Sequence, residues 1–280
     1  MTTLVTVDHP AWNPTPTGGQ ARVVEHRGNV WLALWDRRNE HLALRPVTGD
    51  TAAEPPPVAY TSPIELPVAP EEAVPLLDEL VRLGTVARLT NPSLWDAIVA
   101  AVLRRAGEAG QARQRDHAFR AAYGRGFATP AGELALVPTP EVVLALSDDG
   151  FAAAGAAYGG EALRLAAGAY LERGERWSGL APEELAGELG EIPRLGPSAA
   201  AAAAADFTGD FSVSPYGDLA LRNSGREVEA LWRRWTPTRA QRHALALFTL
   251  AYDSRFRRGH HPVSPRPQYG AGRPWASSWV

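Results

Sequence analysis

The chain has 280 residues, a formal net charge of −3, 45% apolar and 21% charged residues, and no cysteine. That length suits one large or two modest domains with ample core, and the composition is that of a globular protein. The missing cysteines exclude a disulfide framework and a thiolate metal site, and the slightly acidic balance confines any nucleic-acid surface to a local patch. All 28 basic residues are arginine. Without lysine, no lysine Schiff base can form, which excludes lysine-dependent strand cleavage. No run of about eighteen apolar residues occurs, and the first eight residues lack the charged and apolar regions of a signal peptide, so the expectation is a cytoplasmic protein with no membrane contact.

Residues 1 to about 63 read as β. Ala21–Arg27 and Val30–Trp35 alternate in part around Gly28-Asn29, a hairpin-turn pair. His41–Val47 and Val58–Tyr60 make further strands, separated by the proline-rich loop Ala53–Pro57. From Pro70 the pattern turns helical and stays so. Glu71–Leu83 carries apolar residues at helical spacing, and Asn91-Pro92 reads as a cap plus first-turn proline launching Leu94, Trp95, Ile98, Val99, Val102 and Leu103. A further helix runs to about Tyr123. Thr139-Pro140 and Ser147-Asp148-Asp149 open two more, followed by helices over Glu161–Leu171 and Pro182–Leu189. Arg226–Trp235 and Arg239–Tyr252 close the helical part, and Ser254–Val280 reads as an irregular tail. The expected domains are therefore a sheet over 1–65, a helical domain over 66–253 and a tail over 254–280.

The most informative stretch is Glu191–Arg222. Gly196 stands where a helical hairpin needs positive φ, and Pro197 sits where a first helical turn tolerates a missing N–H. The N–H groups after Gly196 then point out of a helix start, which suits a phosphate. Ala199–Ala205, seven consecutive alanines, reads as a thin helix that lets neighbours approach closely. Asp218, 22 residues after Gly196, follows the Pro215-Tyr216-Gly217 turn and heads Leu219–Arg222. A carboxylate so placed is kept ionised by the helix dipole and free N–H groups. An ordinary helix cap is the commoner use of such a residue, and a plain turn between helices the commoner use of such a hairpin.

Ile192-Pro193-Arg194-Leu195-Gly196-Pro197-Ser198-Ala199 resembles the hairpin of the helix-hairpin-helix (HhH-GPD) DNA glycosylases, and Pro215–Arg222 resembles the segment carrying their catalytic aspartate. The branch it is most similar to is 3-methyladenine DNA glycosylase II. Asn91–Val99 is similar to that branch's first core helix, and Trp235-x-Pro237-x-Arg239 to the start of its last, so the likeness spans residues 91 to about 252. The resemblance implies an α+β protein, with an N-terminal antiparallel sheet domain followed by an all-α helix-hairpin-helix domain. It implies a monomeric, cofactor-free monofunctional N-glycosylase that flips a modified base, an alkylated purine by default, from double-stranded DNA. Asp218 would be catalytic, and Pro193, Arg194, Gly196 and Ser198 would hold a phosphate.

Two positions depart from the branch. Ser198 stands where bifunctional relatives have lysine and this branch has tryptophan, and Ala202 stands where it has tyrosine. Base-flipping enzymes hold the extruded base between aromatic faces. The pocket, expected around Trp95, Tyr158, Ser198, Ala202 and Tyr216, is then wider and takes another base, or excision is lost. Trp95, Phe127, Tyr158, Trp177 and Tyr216 could each supply a ring, but each reads first as core. Arginines at 104, 105, 113, 115, 120 and 125, and at 233, 234, 239 and 242, form two basic groups that could follow a DNA backbone or simply face solvent. His260-His261 lacks a spaced third ligand, so no metal is expected. Cleavage of a free nucleoside or small natural product, and non-catalytic binding of DNA lesions, remain alternatives.

Overall fold

The computed structural model describes residues 3–49, 52–68, 71, 74–105, 109–213 and 237–256. Its strands are β1 (Thr3–Val5), β2 (Asn13–Pro14), β3 (Gln20–His26), β4 (Asn29–Asp36), β5 (His41–Thr48) and β6 (Val58–Thr61). Helix α1 (Val74–Val81) and strand β7 (Thr85–Leu89) follow, then α2 (Leu94–Arg104), α3 (Ala109–Tyr123), and a small hairpin of β8 (Gly126–Thr129) and β9 (Gly132–Ala135). The remaining helices are α4 (Pro140–Ala145), α5 (Asp148–Ala153), α6 (Gly160–Trp177), α7 (Pro182–Gly190), α8 (Pro197–Thr208) and α9 (Arg239–Phe256).

Strands β2-β3-β4-β5 form an antiparallel sheet whose alternation along β4 is clean. Trp31, Ala33 and Trp35 face Val5, Trp12, Ala87 and Leu89, while Val30 and Leu32 face Leu134 of the small hairpin and Leu136 just after it. The β3–β4 turn lies one residue earlier than expected. Arg27 and Gly28 both take positive φ (49° and 77°), and Asn29 pairs with His26. Two consecutive positive φ values are what a two-residue turn of the right twist demands, and Asn29 Nδ2 donates to the Arg27 carbonyl at 3.1 Å.

A second sheet, in the order β1-β7-β6, was not expected in this form. Its β1–β7 pair is parallel, and β7 belongs to the stretch that reads as helical. The reason is burial. Val86 faces α1 and α9, whereas Ala87 and Leu89 face the first sheet. A strand buried on both sides shows no alternation to read.

The helical core is built around α2, whose residues from Leu94 to Leu103 are all buried. It packs with α8, α6, Phe119 of α3, Phe151 of α5, and Leu185 and Leu189 of α7. Ser93, not Asn91, caps α2, its hydroxyl accepting from Asp96 N at 3.1 Å. Thr139 and Ser147 cap α4 and α5 as expected. Helix α6 runs past Leu171 to Trp177, because Gly174 lies beneath the Tyr170 ring and does not end the helix. Among the described residues no helix is long and apolar enough to cross a membrane.

Within α8, Ala203 is fully buried and Ala201 only partly so. Ala203→Leu should destabilise the fold by about 1–3 kcal/mol through overpacking, while Ala201→Leu should cost clearly less; urea unfolding compares the two.

Candidate nucleic-acid interface

Helices α7 and α8 make the hairpin. Leu195 N donates to the Ile192 carbonyl at 3.1 Å, and the buried side chains of Ile192 and Leu195 anchor the turn in the core. Arg194 and Gly196 take φ values of 66° and 73°. The turn thus reverses the chain in two left-handed steps, and glycine fills the one that opens the helix. No side chain caps α8, and Pro193, Arg194, Pro197 and Ser198 are exposed. The start of α8 is therefore open to an anion, with its amides directed outward. Arg105, at the end of α2, lies alongside. Its Nη1 donates to both the Arg194 and Leu195 carbonyls, the second at 2.9 Å.

At the ends of α8 and α2 remote from the turn lies a buried cluster of charge. Asp206, near the end of α8, accepts from Arg88 of β7 at 2.5 Å and from Asn91 Nδ2 at 2.8 Å. Asp96 of α2 accepts from Arg22 of β3 at 2.8 Å and from Arg120 of α3. Arg120 also meets Asp116 at 2.6 Å, and Arg88 bonds Asp8, which Arg104 approaches at 3.8 Å. Four carboxylates thus face four guanidinium groups. Burial alone would raise the Asp8 carboxyl, but Arg88 and Arg104 outweigh it and lower it to about 2. Burial would likewise raise Asp96, and Arg120 with Arg22 holds it below the usual range.

His9 completes the cluster. Its Nδ1 accepts the Ala11 N–H at 3.1 Å, which leaves the ring proton on Nε2, toward Asp206 (3.6 Å) and Asp96 (3.8 Å). Burial, and then the surrounding arginines, depress its pKa well below 6.5. The ring is neutral, so the four-to-four balance stands.

The segment leaving α8 is tied to α9. Gly209 caps α8 in the left-handed conformation, and Asp210 accepts from Arg239 Nε (2.8 Å) and Nη2 (2.6 Å). Phe211 N donates to His243 Nδ1 at 3.0 Å, and Arg239 also reaches Glu183 of α7 at 2.9 Å.

Of the residues singled out in the sequence, Asp218 and Tyr216 lie outside the described residues, as do Arg233, Arg234, the helix expected over 226–235 and His260-His261. Ser198 sits at the open hairpin, whereas Ala202 faces inward. Trp95 is in the helical core, its indole donating to the Pro138 carbonyl at 2.8 Å and its ring 5.5 Å from that of Tyr170. Trp177 is core as well. Tyr158 is half-exposed, bonds the Leu103 carbonyl at 2.5 Å, and lies under Arg115. The first arginine group does not form one surface. Arg120 is buried in the charge cluster, Arg104 turns toward Asp8, Arg113 donates to the Val7 carbonyl, and Arg125 meets Glu25. In the second group, Arg239 is consumed by Asp210 and Glu183. Among the described residues no group of three acidic or histidine side chains could hold a metal ion.

This arrangement superposes on those of solved DNA glycosylases. The 8-oxoguanine glycosylase/lyase of Clostridium acetobutylicum, solved with double-stranded DNA containing cytosine opposite 8-oxoguanine, superposes with a TM-score of 0.63 at 11% identity, over 89% of each chain. MBOgg1, bound to a low-affinity DNA ligand, gives 0.62 at 13% identity over 89% of this chain and 90% of its own. The 3-methyladenine DNA glycosylase of Archaeoglobus fulgidus gives 0.60 at 18% identity over 89% and 92%. The chain has the helix-hairpin-helix glycosylase fold. No protein-family model matches the sequence, and no curated protein matches it significantly. The α+β architecture expected from the resemblance, with a sheet domain before the helical one, is thereby borne out.

Two consequences of the cluster are measurable. Asp96→Ala strands Arg22 and Arg120 without their shared carboxylate and should cost about 3–5 kcal/mol in denaturant unfolding. In the unfolded chain His9 protonates near 6.5, but in the folded chain only well below that. The unfolded state therefore binds more protons, and stability falls as pH drops below 6.5, by at most about 1.4 kcal/mol per unit for one such group. His9→Gln should flatten the unfolding midpoint between pH 6.5 and 5, leaving the slope from His26, His117 and His243, whose pKa values burial also lowers. The Asp8 contribution is lost in a separate, more acid window, between about pH 4 and its folded value of about 2.

Proposed function

We propose that this protein is a DNA N-glycosylase that flips a modified base out of duplex DNA and hydrolyses its N-glycosidic bond. The observation that carries the reading is the exposed, uncapped hairpin at Gly196, set in the fold of DNA glycosylases. Its outward amides would take one backbone phosphate, fixing the position of the duplex without reading sequence. Pro193 and Gly196 shape that turn, while Arg194 and Ser198 add side chains at its rim.

Asp218 is assigned the chemistry. Cleavage of the bond between sugar and base builds positive charge on the sugar, and a carboxylate at the anomeric carbon stabilises it while orienting water. The absence of lysine supports hydrolysis without strand cleavage, since no lysine amine can attack the sugar. An alkylated purine is the proposed substrate, because such a base carries positive charge and leaves readily, which one carboxylate suffices to assist. Ser198 and Ala202 present no rings where the pocket wall is expected, so a bulkier base than 3-methyladenine would fit.

Release of free bases from alkylated duplex DNA, read by mass spectrometry, tests this. The wild type should release a modified purine without nicking the strand, and Asp218→Asn should slow release by about 10²–10⁴-fold. Release by both proteins at equal rates would remove Asp218 from the mechanism. Salt-sensitive duplex binding with no release would make the protein a lesion binder, and neither binding nor release would favour a small N-glycoside as substrate.

A further inference from the structure

We infer that Arg105 is a DNA-phosphate contact, supplied to the hairpin by the neighbouring helix α2 and fixed there by the hairpin's own backbone. The inference rests on the DNA-binding reading above and adds a residue to it. Arg105 closes α2, its backbone N–H bonded to the Val102 carbonyl at 3.2 Å. From there the side chain crosses to the turn, where Nη1 donates to the Arg194 and Leu195 carbonyls. These carbonyls belong to the residues just before Gly196, so the guanidinium is centred on the turn. A Cβ placed on Gly196 would come within 3.9 Å of Arg105 Nη2.

The orientation decides what the group can do. A guanidinium has five N–H donors in one plane, and only Nη1 is engaged by the turn carbonyls. Nε and Nη2 lie on the other edge of the fork, and the side chain is exposed. Glu161, which reaches the hairpin, is paired there with Arg194 at 2.8 Å. Of the other arginines in the same sequence group, Arg104, Arg113, Arg120 and Arg125 are committed to Asp8, the Val7 carbonyl, Asp96 with Asp116, and Glu25, in that order. Arg115 bonds the Gln111 side chain and covers the Tyr158 ring. Arg105 is thus a fixed positive charge beside an anion-accepting helix start. Because its rotamer is already held, it loses little side-chain freedom on binding, and its fork matches two phosphate oxygens.

A purely structural brace would have the same two carbonyl bonds, so the test must read charge at the DNA. Affinity for an unmodified duplex is measured against salt concentration for the wild type, Arg105→Gln and Arg105→Lys, with thermal melting of each. Gln keeps a donor for the turn but no charge; Lys keeps the charge. One lost phosphate contact lowers the slope of log K against log salt by about 0.9, equivalent to about 8-fold in affinity at 0.1 M salt. The expected result is that loss for Arg105→Gln, with the wild-type slope retained by Arg105→Lys. An unchanged slope in Arg105→Gln overturns the inference and leaves the DNA reading intact, whether or not melting shifts. Absence of salt-sensitive binding by the wild type overturns both. A lowered slope in Arg105→Gln with no base release from alkylated duplex keeps Arg105 as a phosphate contact and removes the glycosylase reading.

Discussion

The hairpin is held in place by a buried exchange of charge. Asp96 on α2 and Asp206 on α8 each reach out of the helical body to arginines of the sheets, Arg22 and Arg88. Apolar contact alone would let a helix slide or rotate on a sheet at modest cost, since hydrophobic attraction has no direction. A buried carboxylate between two guanidinium groups does not permit that, because any slip leaves a charge unpaired in a low-dielectric interior. Such a cluster adds little net stability over well-packed apolar residues of the same volume. Its effect is on register. The two helices that present the turn and Arg105 are locked to the rest of the molecule at one level.

Helix positions were largely legible in the sequence, because capping and spacing are local. Thr139, Ser147 and the Gly196-Pro197 pair each announce a helix start through chemistry that involves only the next few residues. The strands that local pattern does not mark, β1, β2, β7 and the β8–β9 pair, are short or buried on both faces. β7 is a strand because of what covers it on both sides, and that information lies 80 residues away in β1 and further still in α9. Asn91 illustrates the same limit. Its capping chemistry is real, but Asp206 takes the side-chain amide and its own oxygen accepts from Ser93, so the cap passes to Ser93.

The site divides along the same line. The hairpin could be read from Gly196, because positive φ and an exposed turn are local properties. The charge cluster could not, since His9, Arg22, Arg88, Asp96, Arg120 and Asp206 meet only after the chain has folded. One signal was available. Asp206 is a carboxylate at the end of a run of alanines in a helix that must be buried, and such a group requires a partner. The arginine group at 104–125 misled for the converse reason. Closeness in sequence says nothing about whether a guanidinium turns toward solvent or toward a buried aspartate.

The parallel pairing of β1 with β7 also bears on the order in which the molecule is assembled. Residues 3–5 wait for residues 85–87, and the loop between them must close before their hydrogen bonds can form. The β3–β4 hairpin and the α7–α8 turn need no such wait, being complete within a few tens of residues and favoured by tight turns and alanine. Local pieces of this kind form early, and contacts between distant segments come later and more slowly. Asp8 and His9 follow directly on β1, so their entry into the charge cluster belongs to that late stage. Until the amino-terminal strand docks, Arg88 and Arg104 lack the Asp8 carboxylate that faces them both.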